Sequence, residues 1–313
     1  MSTTSRAHTD YTVGWVCALK EELVAAKLML DETHPRLPPL PNDGNTYTLG
    51  SIGEHNVVIA CLPEAGTNTA ATVATWMASS FTNVKIGLLV GIGGGIPPKV
   101  KLGDIVVSKP TDGYTGVVQH DFGKVESGCP PAFRRTKVLR KSPTLLLTAL
   151  AEQRADHDIN GFDIHQSLND LRNKHPRLKP EYTRRPNFPQ SPHNPQIEDS
   201  GVQPQKEDDL QIHYGLIVSG NQVIKNATIR DSLDKNLDGR VLCVEMEAAG
   251  LMDDFPCIVI RGISDYADEN KNDDWHQYAA AVAAVYARDF LKHIRPADIR
   301  EETPINDVIQ HQG

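Results

Sequence analysis

Three short stretches place carboxylates where apolar runs give way to polar residues. In VEMEAAG, Glu245 and Glu247 flank Met246 after the apolar run VLCV. Alternation along an extended segment puts both carboxylates on one side. A carboxylate accepting two hydroxyl hydrogen bonds is a natural clamp for a vicinal diol such as that of ribose. The same residues also suit the first turn of a helix, where acids oppose the helix dipole. In RGISDYAD, Arg261, Ser264, Asp265 and Asp268 follow the run CIVI. An aspartate at a strand end beside an apolar wall is suited to general acid catalysis. The competing role is a helix cap by Ser264 or Asp265, which fits Asp268 better. In CALKEEL, Glu21 and Glu22 follow the first apolar run. Either one faces a site and the other solvent, or both simply begin a helix.

The segment VGIGGGIP adds Gly91, Ile92, Gly93, Gly94 and Gly95. Glycine lets backbone N–H groups approach an anion or a sugar. Pro97 and Pro98 follow at once, so this is not a dinucleotide fingerprint opening a long helix, and the Lys-Ser/Thr of a P-loop is missing. A tight packed turn explains the glycines equally well. The 12 histidines show neither HxH nor HExxH spacing, so neither a metal nor a cofactor is expected. Ser219 in SGNQ is not a nucleophile elbow. The pairs Arg134-Arg135 and Arg184-Arg185 read as solvated.

The elements that must hold these residues alternate. YTVGWVCAL is a β-rich apolar run, and KEELVAAKLMLDE after it has near-helical apolar spacing. NTYTLGSIGEHNVVIACL reads as a hairpin turning at Gly53–Asn56. GTNTAATVATWMASSF reads as a helix, and KIGLLVGIGGGIP as a buried strand running into a glycine loop. LGDIVVSKP and YTGVVQHDFG are further strands, and SPTLLLTALAEQR predicts a helix from about Ser142 to Arg154. IHYGLIVSGNQVI is a strand into a loop, RVLCVEMEAAGLMDDF a strand feeding a helix, and PCIVIRGISDYAD a buried strand. WHQYAAAVAAVYARDFLKHI closes the pattern as a helix. Residues 174–208 are dense in proline and polar side chains, a composition that cannot supply a packed core. The expectation is a single α/β domain over residues 11–293 with a mixed central sheet. It is interrupted by an insertion at about 155–210, with residues 1–10 and 296–313 as flexible tails. Ligands in such sheets bind at the carboxyl ends of strands.

Composition narrows the function classes. The chain has 313 residues with a formal net charge of −8, which argues against a nucleic-acid partner. No apolar run reaches the roughly 18 residues a membrane span needs. The N-terminus lacks an apolar signal core. Cys17, Cys61, Cys129, Cys243 and Cys257 are scattered, with no CxxC spacing, and read as buried free thiols. A reducing cytoplasm is the expected location.

Taken in order, VCALKEEL, VGIGGGIPPKVKLGDIVVS, GCPPAF, SGNQVI, VEMEAAG and RGISDYAD resemble the nucleoside phosphorylase/nucleosidase superfamily. The pattern is similar to methylthioadenosine/S-adenosylhomocysteine nucleosidase and to fungal nucleoside-phosphorylase-like domains, over about residues 11–133 and 213–292. The resemblance implies a three-layer α/β/α sandwich around a mixed, partly barrel-like sheet. It implies that Glu247 binds ribose O2′ and O3′ with Met246 under the sugar and Glu245 nearby. Asp265, with Ser264, contacts the purine at N7, and Glu22 activates water near C1′. Arg261 supports that water or anion site. Ile92 and Gly93 line the sugar side, Val223 and Ile224 flank the base, Trp275 covers the ligand, and Gln119 lies near the base. It also implies a homo-oligomer, dimeric or hexameric.

The resembling family contains both hydrolases and phosphorylases. Its phosphorylases place an arginine before the glycine loop, where this chain has Leu89, and Glu22 facing the same spot repels phosphate. Hydrolysis of a purine ribonucleoside is therefore the first expectation, adenosine ahead of inosine and guanosine because an aspartate accepts from a 6-amino group. Phosphorolysis is the runner-up. Some related domains cleave ATP, and Lys174, Arg177, Lys179, Arg184 and Arg185 in the insertion are candidate triphosphate cations, or simply a solvated loop. A non-catalytic nucleoside sensor, as expected where such domains are joined to ankyrin, TPR or NTPase modules, is the alternative of another class. The absence of such a module here and the presence of Glu22 and Asp265 favour an enzyme.

Overall fold

A computed structural model of the chain describes residues 6–127, 132–186 and 210–311. In chain order the elements are β1 (Val13–Cys17), α1 (Lys20–Leu28), β2 (Glu32–Thr33), β3 (Tyr47–Ile52), β4 (His55–Cys61), α2 (Thr67–Ser80), β5 (Ile86–Gly95), β6 (Ile105–Ser108), β7 (Val117–Gln119), β8 (Gly123–Glu126) and β9 (Ala132–Arg135). There follow α3 (Thr144–Asn160), α4 (Ile164–Lys174), β10 (Ile212–Ser219), α5 (Ala227–Lys235), β11 (Val241–Glu245), β12 (Cys257–Asp265), α6 (His276–Lys292), α7 (Pro296–Glu301) and α8 (Ile305–Gln310).

The main sheet runs β11-β10-β6-β12-β5-β1-β4-β3-β2, with β7 paired to β10. Most pairs are parallel, but β12 meets β6 and β11 meets β5 in antiparallel fashion, so the sheet is mixed. The β11–β5 pairing closes β11, β10, β6, β12 and β5 into a ring, which is the barrel-like part.

Strand alternation shows which helices cover which face. Gly14 of β1 and Gly87 of β5 are register partners, and a Cβ at Gly14 would meet Met77 of α2. Ile92 lies an odd number of residues beyond Gly87 and so on the opposite face. Its partner Gly262 on β12 packs against the backbone of Ala279 in α6. Helices α2 and α6 therefore flank the sheet from opposite sides, giving an α/β/α sandwich. Strands β1, β5 and β12 between them are almost wholly buried, as their continuous Val/Ile/Leu runs require.

Four local expectations change. The glycines 91–95 form no loop. They continue β5, and none has a positive φ. They provide space rather than backbone freedom: at Gly93 a Cβ would strike the Cys243 sulfur on the crossing strand β11. After β11 no full helix forms, only a turn at Ala248–Gly250, because a side chain at Gly250 would clash with the backbone of Thr67 and the chain passes tightly under α2. Helix α3 runs past its expected end near Arg154 to Asn160, and amphipathic α4 buries Ile164, Leu168 and Leu171, so the first part of the expected insertion is helical and packed. The C-terminal segment is not a loose tail up to residue 310. Ile299 and Ile305 are buried, and the Ile305 N–H donates to the Val84 carbonyl. The Gly128–Pro131 part of GCPPAF and residues 187–209 lie outside the described residues. Among the described cysteines, Cys17, Cys243 and Cys257 are buried and Cys61 half-buried, all as free thiols. No helix among the described residues is long and apolar enough to cross a membrane.

Candidate active site

The carboxyl ends of β1, β5, β11 and β12 meet around a cavity of about 220 Å³. Its wall brings together Glu22, Ile92, Gly93, Val223, Ile224, Glu245, Met246, Glu247, Ser264 and Asp265, residues scattered over more than two hundred positions of chain.

Glu22 stands in the first turn of α1, where it does two jobs. Its Oε2 accepts the N–H groups of Ala18 and Leu19 at 2.6 and 2.9 Å, satisfying orphan donors of the helix start. Its Oε1 accepts the Ile92 N–H at 2.8 Å, tying α1 to β5. Three fixed N–H donors aim a carboxylate that is 3% exposed at the cavity. Glu21 instead pairs with Lys20 at 3.2 Å, on the outside.

Arg261 lies behind the cavity wall, 1% exposed, on β12. Its Nη2 bonds Glu245 Oε2 and, at 3.1 Å, Glu247 Oε2, and its Nη1 donates to the Ile92 carbonyl at 3.3 Å. Burial opposes its charge, but Glu245, Glu247 and Glu22 outweigh that and push the guanidinium above its ordinary value. Glu245 also accepts the N–H groups of Glu247 and Ala248, which bends the chain so that Glu247 turns back toward Arg261. Burial pushes Glu247 up to about 7. Arg261 pulls the other way, and Glu245 and Glu22 add to the rise. One cation thus organises Glu245 and Glu247, and the Ile92 peptide links it to Glu22.

Asp265 ends β12. Its Oδ1 accepts the Ala267 N–H at 2.8 Å, and Ser264 Oγ lies 3.0 Å from its Oδ2. Lys271 Nζ sits 2.9 Å from the same Oδ2. Ser219, at the end of β10, accepts the Ala249 N–H through its hydroxyl and so braces the turn after Glu247.

Three of the sequence candidates stand outside the cavity wall. Arg261 is behind it. Gln119 bonds Asp121 at 3.0 Å, and its neighbour His120 lines the cavity instead. Trp275 is buried against Tyr278 under the Arg185 guanidinium, and His276 takes the cavity position. Sequence reasoning missed His120, Gln222, Lys271 and His276. His120, Gln222 and Lys271 are single residues in loops and His276 opens α6; only Gln222, inside SGNQVI, and Lys271, close behind RGISDYAD, carried a signal. Burial lowers His120 below the usual histidine value, with Asp121 opposing. None of the five insertion cations lines the cavity.

With this ring-closed mixed sheet and its strand-end cavity, the chain belongs to the phosphorylase superfamily, whose family pattern matches residues 12–295. It is 46% identical to a nucleotide-binding leucine-rich repeat (NLR)-like protein of Hyaloscypha variabilis, over 95% of this chain but only 30% of that protein's length. It is 28% identical to the 5'-methylthioadenosine/S-adenosylhomocysteine nucleosidase of Mycobacterium bovis, covering 90% of this chain and 96% of that one. The solved structure of Helicobacter pylori futalosine hydrolase superposes with a TM-score of 0.61 at 19% identity, covering 91% of this chain and 99% of that one.

Proposed function

We propose that the chain hydrolyses the N-glycosidic bond of a purine ribonucleoside, adenosine first, to free base and ribose. The observation that carries this reading is Glu22, a buried carboxylate aimed by three N–H groups into the cavity that Glu247 and Asp265 also line.

Cleavage builds positive charge on the ribosyl ring and negative charge on the departing purine. Glu247, backed by Arg261, accepts the O2′ and O3′ hydroxyls and positions the sugar over Met246. Glu22 accepts a proton from water as that water meets the oxocarbenium-like C1′. Asp265, supplied by Lys271, passes a proton to N7 and accepts from the 6-amino group, while Val223 and Ile224 border the base. No cofactor is required for these steps.

Water is favoured over phosphate because, among the described residues, no arginine lines the cavity. Arg261 is committed to two carboxylates, and Glu22 repels a dianion. The similarity to the Mycobacterium bovis nucleosidase points the same way. We further propose self-association through exposed apolar side chains: Val223 on the cavity wall, and Phe122, Val125 and Phe133 in and beside the β8–β9 hairpin.

The test is base release from adenosine, inosine, guanosine, methylthioadenosine, AMP and ATP, with and without phosphate. Adenine plus free ribose at a rate indifferent to phosphate is expected. Ribose 1-phosphate formed only with phosphate overturns hydrolysis. Tight nucleoside binding without turnover makes the chain a sensor.

A further inference from the structure

We propose that His157, Asp289 and His293 form a binding site for one divalent transition-metal ion of the zinc class, which clips α3 to α6. The reading is independent of the nucleoside site, since His276 at that cavity and Asp289 are separated by about 20 Å of helix.

The three ligand atoms all lie within 4.8 Å of one another. His157 Nε2 is 2.8 Å from Asp289 Oδ2, and His293 Nε2 is 3.8 Å from the same oxygen. In a tetrahedral zinc site with bonds of about 2.0–2.1 Å, ligand atoms stand about 3.4 Å apart. The two separations to Asp289 lie on either side of that value, so an ion seats by a modest adjustment of the three side chains. Asp289 and His293 are one helical turn apart at the end of α6, and His157 comes from the last turn of α3. Two imidazoles and a carboxylate are borderline ligands that suit zinc, cobalt, nickel or copper rather than magnesium or calcium.

The ligands are also supported from behind. Gln153, 0% exposed, donates to Asp289 Oδ2 at 3.0 Å and fixes the carboxylate. Lys292 holds the other oxygen, Oδ1, at 3.1 Å, so the imidazoles and Gln153 meet at Oδ2. Phe162 stacks flat on the His157 ring, with centroids 4.5 Å apart. Asp289 borders a cavity of about 240 Å³, with Phe162, Asp170, Lys174, Arg288 and Lys292 on its wall, so the cluster is reached from solvent on the Asp289 side. His157 Nδ1 is buried and has no partner among the described residues. A missing acceptor behind a ligating histidine weakens metal binding by about 10–100-fold relative to a fully supported site.

The full chain, stripped with a chelator and dialysed, is titrated with Co²⁺ and read by visible absorption. A saturable one-to-one d–d band that Zn²⁺ displaces is expected. Saturating Zn²⁺ raises the thermal midpoint by about 5 °C, and chelator reverses the rise. His157→Gln and His293→Gln each remove the band and the shift while base release stays at the wild-type rate. The absence of a saturable band in the wild type overturns the proposal. So does a band that survives in the double variant, because it belongs to other histidines.

Discussion

Lys271 Nζ lies 2.9 Å from Asp265 Oδ2, on a carboxylate whose other oxygen accepts the Ala267 N–H. Lys271 and Ala267 can only donate, so in this geometry Asp265 is an acceptor. On the proposed mechanism, the proton that N7 needs comes through the Lys271 ammonium. Replacing it as Lys271→Met lowers kcat by about 10²–10³, within the range for losing a general acid. Lys271→Arg keeps the charge but cannot release a proton, so it loses rate to a similar degree. Steady-state kinetics with adenosine decide. An unchanged kcat in Lys271→Met removes lysine from the proton path.

Burial pushes Glu247 up to about 7 from an ordinary value of 4.5. A raised carboxyl stabilises the fold fully below its ordinary value, and that contribution is lost as pH rises through about 7. Binding has the opposite sign. Ribose hydroxyls donate to the ionised form, so a bound diol favours the anion and expels a proton. KM for adenosine therefore rises on acidification from pH 8 to 6, and binding near pH 7 releases about half a proton. Calorimetry in buffers of different ionisation enthalpy measures that release. Proton uptake, or no exchange, contradicts the diol role of Glu247.

The carboxylates were legible in the sequence because each stands at the end of an apolar run. The α/β class was legible from the alternation of strand and helix patterns. What remained hidden depends on contacts made far along the chain. That Glu22 caps its helix and also faces the cavity follows from the Ile92 N–H, on a strand separated from it by β2, β3, β4 and α2. The glycines of β5 read as a loop because their purpose, space for Cys243 and for Glu22, belongs to other segments. His120 and His276 replaced Gln119 and Trp275 because a shift of one residue changes the face that a side chain presents.

Gly91 gives a direct test of that packing. A Cβ there would run into the Glu22 carboxylate and the Arg261 guanidinium. Gly91→Ala costs about 1–3 kcal/mol in overpacking. It also displaces Glu22, and a shift of about 1 Å at a reacting group costs on the order of 10²-fold in rate. Gly53→Ala is the comparison. It lies at φ +55 with nothing within 4 Å, so it lowers stability through backbone strain but leaves kcat alone. Both variants are read by thermal melting and kcat. Equal kcat in the two would mean that Glu22 position does not limit the reaction.

Arg261 carries the largest expected effect. It is the shared cation of Glu245 and Glu247, and all three side chains are at most 5% exposed. Arg261→Met leaves two buried carboxylates without a partner, at a cost of about 3–5 kcal/mol, so the melting temperature falls on the order of 10 °C. If the loss is the unpaired charge rather than the missing bulk, removing one anion as well restores part of it. Arg261→Met with Glu245→Gln then melts above Arg261→Met alone, and the coupling in this double-mutant cycle is read directly. The rate does not recover in the double variant, because Glu247 is still unsupported and the sugar still unpositioned. Additive losses in both stability and rate would show that the two residues act separately, and that the chain from Ile92 through Arg261 to Glu247 does not work as one unit.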